Sequence, residues 1–99
     1  MFFQYPDGYY QAIAEELNSA IKEPWEKVVV NVELFDNSIE EEIVYTRPDG
    51  SKESKVSTIM SGRYFYELAR VVSSEEKGLY KKCRFVLNND GSFNIDFEY

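Results

Sequence analysis

The side chains of this sequence that could do chemistry are a run of three carboxylates, Glu40-Glu41-Glu42, and a single cysteine, Cys83. Paired carboxylates can act as a general acid and base, or they can bind a hard cation. Because consecutive strand residues point to opposite faces, only Glu40 and Glu42 would share a side. The sequence contains no histidine, the side chain that most often serves as a general base. We therefore predict that the protein is not an enzyme and holds neither a metal ion nor a cofactor.

The single cysteine is expected to be structural. Cys83 falls within a run of alternating apolar and polar residues, which places its side chain on an apolar strand face. A reactive thiol needs a nearby base or an electropositive setting, and the sequence offers no histidine partner. One cysteine also cannot form an intrachain disulfide, which agrees with a reducing compartment.

Acidic residues are dense around the glutamate run. Glu33 and Asp36 precede the run, and Tyr45 follows it. A strand that carries Glu40 and Glu42 presents a carboxylate at every second residue, a spacing that imitates the phosphates of a nucleic acid. This surface would suit a basic groove in another protein, with Tyr45 as an aromatic anchor. Two alternatives stay open: the acids could form an ordinary solvated strand face, and Tyr45 could pack under a helix.

The overall charge limits the kinds of partner. A nucleic-acid-binding protein needs a basic face, so the formal net charge of −7 argues against direct nucleic-acid binding. The same charge disfavours binding to anionic membranes. The segment from Met1 to Gly8 has neither a basic region nor a long apolar run, so we expect no signal peptide and no membrane span. These observations predict a cytoplasmic protein.

The elements that would position these residues are clearest at the C-terminal end of the sequence. A three-residue turn at Asn89, Asp90 and Gly91 would join two strands as an antiparallel hairpin. This register brings opposite charges together on one face and apolar residues together on the other. The predicted pairs are Arg84–Asp96 and Lys82–Glu98 on the charged face, and Leu87–Phe93, Phe85–Ile95 and Cys83–Phe97 on the apolar face.

Two helices are predicted from apolar residues that recur at helical spacing. The first follows Asp7, a candidate N-cap, and runs to about Lys22. The second begins at Ile59 or Ser61, with Ser61 as a candidate N-cap, and ends near Val72. The apolar positions that define the first helix are Tyr10, Ile13, Leu17 and Ile21, and those that define the second are Tyr64, Phe65, Leu68, Val71 and Val72.

Three further strands are predicted between the helices, in a run that Trp25 opens and Leu34 ends, at residues 39–47 and at residues 52–58. The last of these is expected at a sheet edge. The resulting order is α-β-β-β-α-β-β, in one domain spanning residues 1–99. We predict an α+β two-layer sandwich in which a five-stranded antiparallel sheet carries both helices on one face. The opposite face of the sheet should be in water or should bind a partner.

Several stretches taken together resemble the YezG/EsaG-type immunity proteins, and the similarity extends from about Tyr9 to Tyr99. The more specific pieces are a Pro-Trp pair at the start of the first strand and a Gly-x-Phe-x-x-Asp-Phe-x-Tyr sequence at the end. The stretches are Tyr10-Gln11-Ala12-Ile13-Ala14, Glu23-Pro24-Trp25-Glu26-Lys27-Val28, Pro48-Asp49-Gly50, and Gly91-Ser92-Phe93-Asn94-Ile95-Asp96-Phe97-Glu98-Tyr99.

The resemblance implies an antitoxin that binds and neutralises a cognate polymorphic toxin, often a nuclease. Together with the acidic region, it predicts a basic nuclease domain as partner and a monomer or homodimer as the free state. The predicted toxin-binding residues are Glu33, Glu40, Glu42 and Tyr45, whereas Trp25, Phe93 and Phe97 match the family pattern as core residues. The alternative is an α+β adaptor or regulatory subunit that acts through dimerisation or protein binding.

Overall fold

The computed structural model describes residues 2–99, and in this range it contains two helices and five strands. All strand pairs are antiparallel, and the strands lie in the order β3-β2-β1-β4-β5. The predicted α+β fold and its order of elements are therefore confirmed. The elements are α1 (Pro6–Ala20), β1 (Lys27–Leu34), β2 (Ile39–Thr46), β3 (Lys52–Glu53), α2 (Ser61–Val71), β4 (Lys82–Asn88) and β5 (Phe93–Glu98).

Both helices pack on the same face of the sheet, and the core lies between the two layers. Phe65 of α2 meets Phe85 of β4 edge to face, with ring centroids 6.1 Å apart. Burying each such side chain contributes roughly 1.5–3 kcal/mol, so the sheet holds the helices in place. The buried apolar residues of the helices and strands are Tyr9, Ile13 and Leu17 from α1, Phe65, Leu68 and Ala69 from α2, and Val28, Val30, Val32, Ile43, Tyr45, Cys83, Phe85 and Leu87 from the sheet.

The C-terminal hairpin has the predicted register. Leu87 pairs with Phe93 and Arg84 pairs with Asp96, as expected from the charge pattern. Gly91 has a φ of +89°, and its N–H donates to the carbonyl of Asn88 at 3.0 Å. A positive φ is cheap only for glycine, which explains why the turn lies there.

The helix caps differ from the prediction. Pro6, whose ring presets the helical φ, is the first residue of α1, so Asp7 lies in the first turn rather than at the cap. Ser61 is likewise the first residue of α2 and does not cap it. Instead, Oε1 of Glu16 accepts the N–H groups of Ile59 at 2.5 Å and Met60 at 2.6 Å. A carboxylate on α1 therefore satisfies the backbone at the start of α2.

The edge strand β3 is shorter than the predicted strand of residues 52–58. Only Lys52 and Glu53 pair with β2, although they lie at the sheet edge as expected. The carboxylate of Glu53 accepts hydrogen bonds from the backbone N–H groups of Ser54 and Lys55. Local hydrogen bonds of this kind compete with pairing to the neighbouring strand.

Candidate functional site

The sheet face opposite the helices, here called the open face, presents four rows of side chains that run across the strands. Each row follows from the observed register, because residues directly paired across strands lie side by side. From the β1–β2 turn, the rows are Glu40, Glu33, Lys82 and Glu98; then Glu42, Asn31, Arg84 and Asp96; then Val44, Val29, Val86 and Asn94; and last Lys52, Thr46, Lys27 and Asn88.

Three valines form an apolar strip across the middle of the open face. Val44, Val29 and Val86 are direct cross-strand neighbours on β2, β1 and β4, and each is half-buried. Charged and polar rows lie on both sides of the strip. An apolar centre with a polar rim is the usual anatomy of a protein–protein interface.

This strip was not predicted from the sequence, although the sequence contains a signal for it. Val29 and Val44 each fall on a strand face whose other residues are polar or charged. An apolar side chain is unexpected on such a face if the face is only in contact with water. Val86 interrupts the polar face of β4 in the same way. Only the register between strands shows that the three valines are adjacent.

The three predicted glutamates lie together at one corner of the open face. Glu33 is directly opposite Glu40, and Glu42 is the next residue of β2 on the same side. All three are exposed. Like charges placed directly opposite each other destabilise a sheet by up to about 1 kcal/mol. The arrangement therefore opposes folding slightly, as functional surfaces often do.

Cations interrupt the acidic surface, which is less uniform than the sequence suggested. Lys82 lies opposite both Glu33 and Glu98, and Arg84 lies opposite Asp96. Within residues 2–99 neither cation forms a direct ion pair, since the ion pairs there belong to Arg47. The open face is therefore mixed in charge, with its acids concentrated at the β1–β2 corner and at β5.

Tyr45 does not belong to this surface, and its prediction as an exposed anchor is wrong. It is 6% exposed and lies in the core on the helix-covered side. Its hydroxyl donates to the carboxylate of Glu23, which raises the pKa of the tyrosine. Arg47 donates through Nε to the same carboxylate at 2.9 Å and thereby lowers the pKa of Glu23. Tyr45 is buried because it pairs with the buried Val28 of β1 and so lies on the helix-covered face of the sheet.

The middle glutamate of the run faces the helices, as strand alternation requires. Oε1 of Glu41 accepts from the hydroxyls of Ser61 at 2.8 Å and Thr58 at 3.3 Å. Its other oxygen is buried, and no group in residues 2–99 donates a hydrogen bond to it. Burial raises the pKa of Glu41 above its ordinary value. Glu41 therefore has a structural role beside the start of α2.

The single cysteine and the acidic residues were the other candidates for chemistry. Cys83 is buried at 3% exposure, and burial raises the pKa of its thiol to about 12. No three acidic or cysteine side chains among residues 2–99 are grouped so that they could hold a metal ion.

In the same range, neither helix is long and apolar enough to cross a membrane.

No protein-family model matches this chain, and a search of the curated proteins finds no match either.

Proposed function

We propose that this chain is an immunity protein of the YezG/EsaG type, which binds a cognate toxin in the cytoplasm and neutralises it stoichiometrically. The proposal rests on the sequence stretches that resemble that family. The structural observation in its favour is the open face, where the valine strip lies beside the carboxylates of Glu33, Glu40 and Glu42. A surface that combines apolar and acidic parts suits a basic protein partner.

In the proposed mechanism, the open face occludes the active site or substrate groove of a basic nuclease domain. Glu40 and Glu42 are two residues apart on β2, so their side chains project about 7 Å apart, at the strand repeat. They take the place of phosphates in the groove, while Val29, Val44 and Val86 exclude water from the centre of the contact. The chain acts by binding, with no catalytic residue and no cofactor of its own.

The cations of the open face give the proposed interface its specificity. Lys82 and Arg84 separate the acids of β2 from those of β5, so a partner must match an alternating pattern of charge. A groove that is uniformly basic would meet these two cations and lose binding energy. This explains how an acidic surface could distinguish its own toxin from other basic proteins.

The central test is charge reversal on β2. The double variant Glu40→Lys, Glu42→Lys should weaken toxin binding at least tenfold, about 1.4 kcal/mol, mainly through slower association. The matched control is Glu75→Lys, Glu76→Lys, which makes the same change in net charge at two exposed residues outside the open face. Binding would be measured by surface plasmon resonance with the toxin encoded by the neighbouring gene, and rescue of growth by co-expression.

Each result of the binding and rescue experiments leads to a different conclusion. One-to-one capture with rescue, weakened by the β2 variant and not by the control, supports both the function and the surface. Equal effects of the two double variants would place the toxin elsewhere on the molecule. A neighbouring gene product that neither binds nor harms cells would overturn the immunity proposal.

A second candidate is an adaptor or regulatory subunit that acts through dimerisation or protein binding. The observation in its favour is the free outer side of β5, at one edge of the sheet. A protein that is dimeric at all accessible concentrations and captures no toxin would favour this candidate.

A further inference from the structure

The outer side of β5 has backbone groups available for pairing. Asn88 donates its N–H to the carbonyl of Ser92 at 2.8 Å, which sets the hydrogen-bond pattern of the hairpin. Because bonding residues alternate along an antiparallel pair, Asn94, Asp96 and Glu98 direct their backbone groups towards β4. The N–H and C=O groups of residues 93, 95 and 97 therefore point away from the sheet, and no other segment of the described chain bonds to them.

This edge lacks most of the features that usually prevent edge-to-edge pairing, and its two charged residues, Asp96 and Glu98, restrict the register instead. Proteins protect edges with charged side chains, especially lysine, and with proline, bulges or very short strands. β5 is six residues long, and its sequence Phe-Asn-Ile-Asp-Phe-Glu contains neither lysine nor proline. The opposite edge differs, because β3 has only two residues and β2 beyond it carries the run Glu40-Glu41-Glu42. Self-pairing through β2 would bring that run against its own copy.

We propose that β5 pairs antiparallel with β5 of a second copy of this chain, about a two-fold axis at Ile95. Ile95 then lies opposite Ile95 of the second copy, and Phe93 lies opposite Phe97. The outward backbone groups of these residues bond to one another across the axis. The two sheets join into one continuous sheet with both open faces on the same side. This inference does not rest on the proposed binding of a toxin, although the second candidate function would use the same edge.

Charge selects this register over its neighbours. With the axis at Ile95, Asn94 lies opposite Asp96 of the second copy, twice per dimer, so an amide can donate to a carboxylate. With the axis at Asp96, two carboxylates would face each other directly, which is unfavourable. With the axis at Asn94, Phe97 would lie beyond the partner strand and the ladder would be shorter. The axis at Ile95 gives the longest ladder without opposed charges.

The proposed pairing also covers an exposed aromatic side chain. Phe93 is 44% exposed at the free edge, although it stacks on Phe85 with centroids 5.5 Å apart. In the dimer, Phe97 of the second copy lies beside it on the helix-covered face. A contact one strand wide is small for a stable interface, so we expect association only at high protein concentration.

The first experiment measures association and locates it in the same samples. Sedimentation velocity should show a monomer converting to a dimer as the concentration of the whole protein rises. Amide exchange measured by NMR should slow with concentration at Ile95 and Phe97, whereas Asn94 and Asp96 should be protected throughout by β4. A monomer at every concentration would overturn the proposal, and so would concentration-dependent protection confined to β2 or to the open face.

Substitution at position 94 tests the register. Asn94→Asp places a carboxylate opposite Asp96 of the second copy at two sites and should weaken dimerisation about tenfold. Asn94→Lys should strengthen dimerisation by a similar factor. The controls Asn31→Asp and Asn31→Lys make the same charge changes at an exposed position of the central strand. If the two positions gave equal effects, only net charge would matter and the proposed register would be wrong.

Discussion

At the scale of single residues, Glu41 shows how the fold separates three chemically identical neighbours. Glu40 and Glu42 are exposed on the open face, whereas Glu41 is enclosed between the sheet and the start of α2. Burial raises its pKa, and the hydrogen bonds from Ser61 and Thr58 only partly oppose that effect. The folded protein therefore binds a proton at Glu41 more tightly than the unfolded chain does.

This raised pKa gives a prediction for the stability of the protein against pH. The stability that Glu41 contributes is fully present below the unfolded pKa and is lost as the pH rises through the folded pKa. We expect Glu41→Gln to become more stable relative to the natural protein as the pH rises from about 4 to about 7. Urea denaturation at a series of pH values would measure this difference. Glu42→Gln, which changes the charge equally at an exposed position, is the control, and identical curves would refute the role of burial.

At the scale of elements, a contact between the helices replaces the side-chain cap that α2 lacks. Neither helix has a side-chain cap from its own N-cap residue. The start of α2 instead depends on Glu16, which lies 43 residues from Ile59 in the sequence. Local sequence patterns cannot reveal such a cap, because the acceptor reaches the helix only when the two helices pack together.

Removing this cap should destabilise the protein measurably. Glu16→Ala leaves two N–H groups at the start of α2 without their acceptor, and we expect a loss of about 1 kcal/mol in the free energy of unfolding. Chemical denaturation would test this, with Glu15→Ala as the control because Glu15 is an exposed acid on the same helix. Equal losses in the two variants would show that Glu16 does not stabilise the fold as a cap.

The same distinction between local and distant information explains what the sequence could predict. The C-terminal hairpin was predictable to the residue because its turn, its charges and its apolar positions all favour one register. The surface containing Glu33, Glu40 and Glu42 was predictable from strand alternation. The same alternation places Tyr45 on the opposite face of β2 from Glu40 and Glu42, so it could not act as an anchor beside them. That this second face lies in the core was not predictable, because it required the pairing of Tyr45 with the buried Val28. The valine strip also required the order of the strands.

At the scale of the whole molecule, charge should control how fast a partner binds. The chain carries a net charge of −7, and acids cluster at one corner of the open face. We expect the association rate constant with the proposed toxin to fall steeply as ionic strength rises from about 0.05 to about 0.5 M, with a smaller change in the dissociation rate. Stopped-flow fluorescence would measure both rates. An association rate independent of salt would contradict electrostatic steering.

The position of β1 in the sheet also has a consequence for synthesis on the ribosome. β1 receives one neighbour, β2, soon after it emerges, but its other neighbour, β4, begins only at Lys82. Until then, the apolar strand containing Val28, Val30 and Val32 has an unpaired edge in the middle of the future sheet. Such edges are where nascent chains aggregate, and distant pairings form slowly. The hairpin of β4 and β5 therefore completes the sheet last, and the nascent chain is vulnerable until it docks.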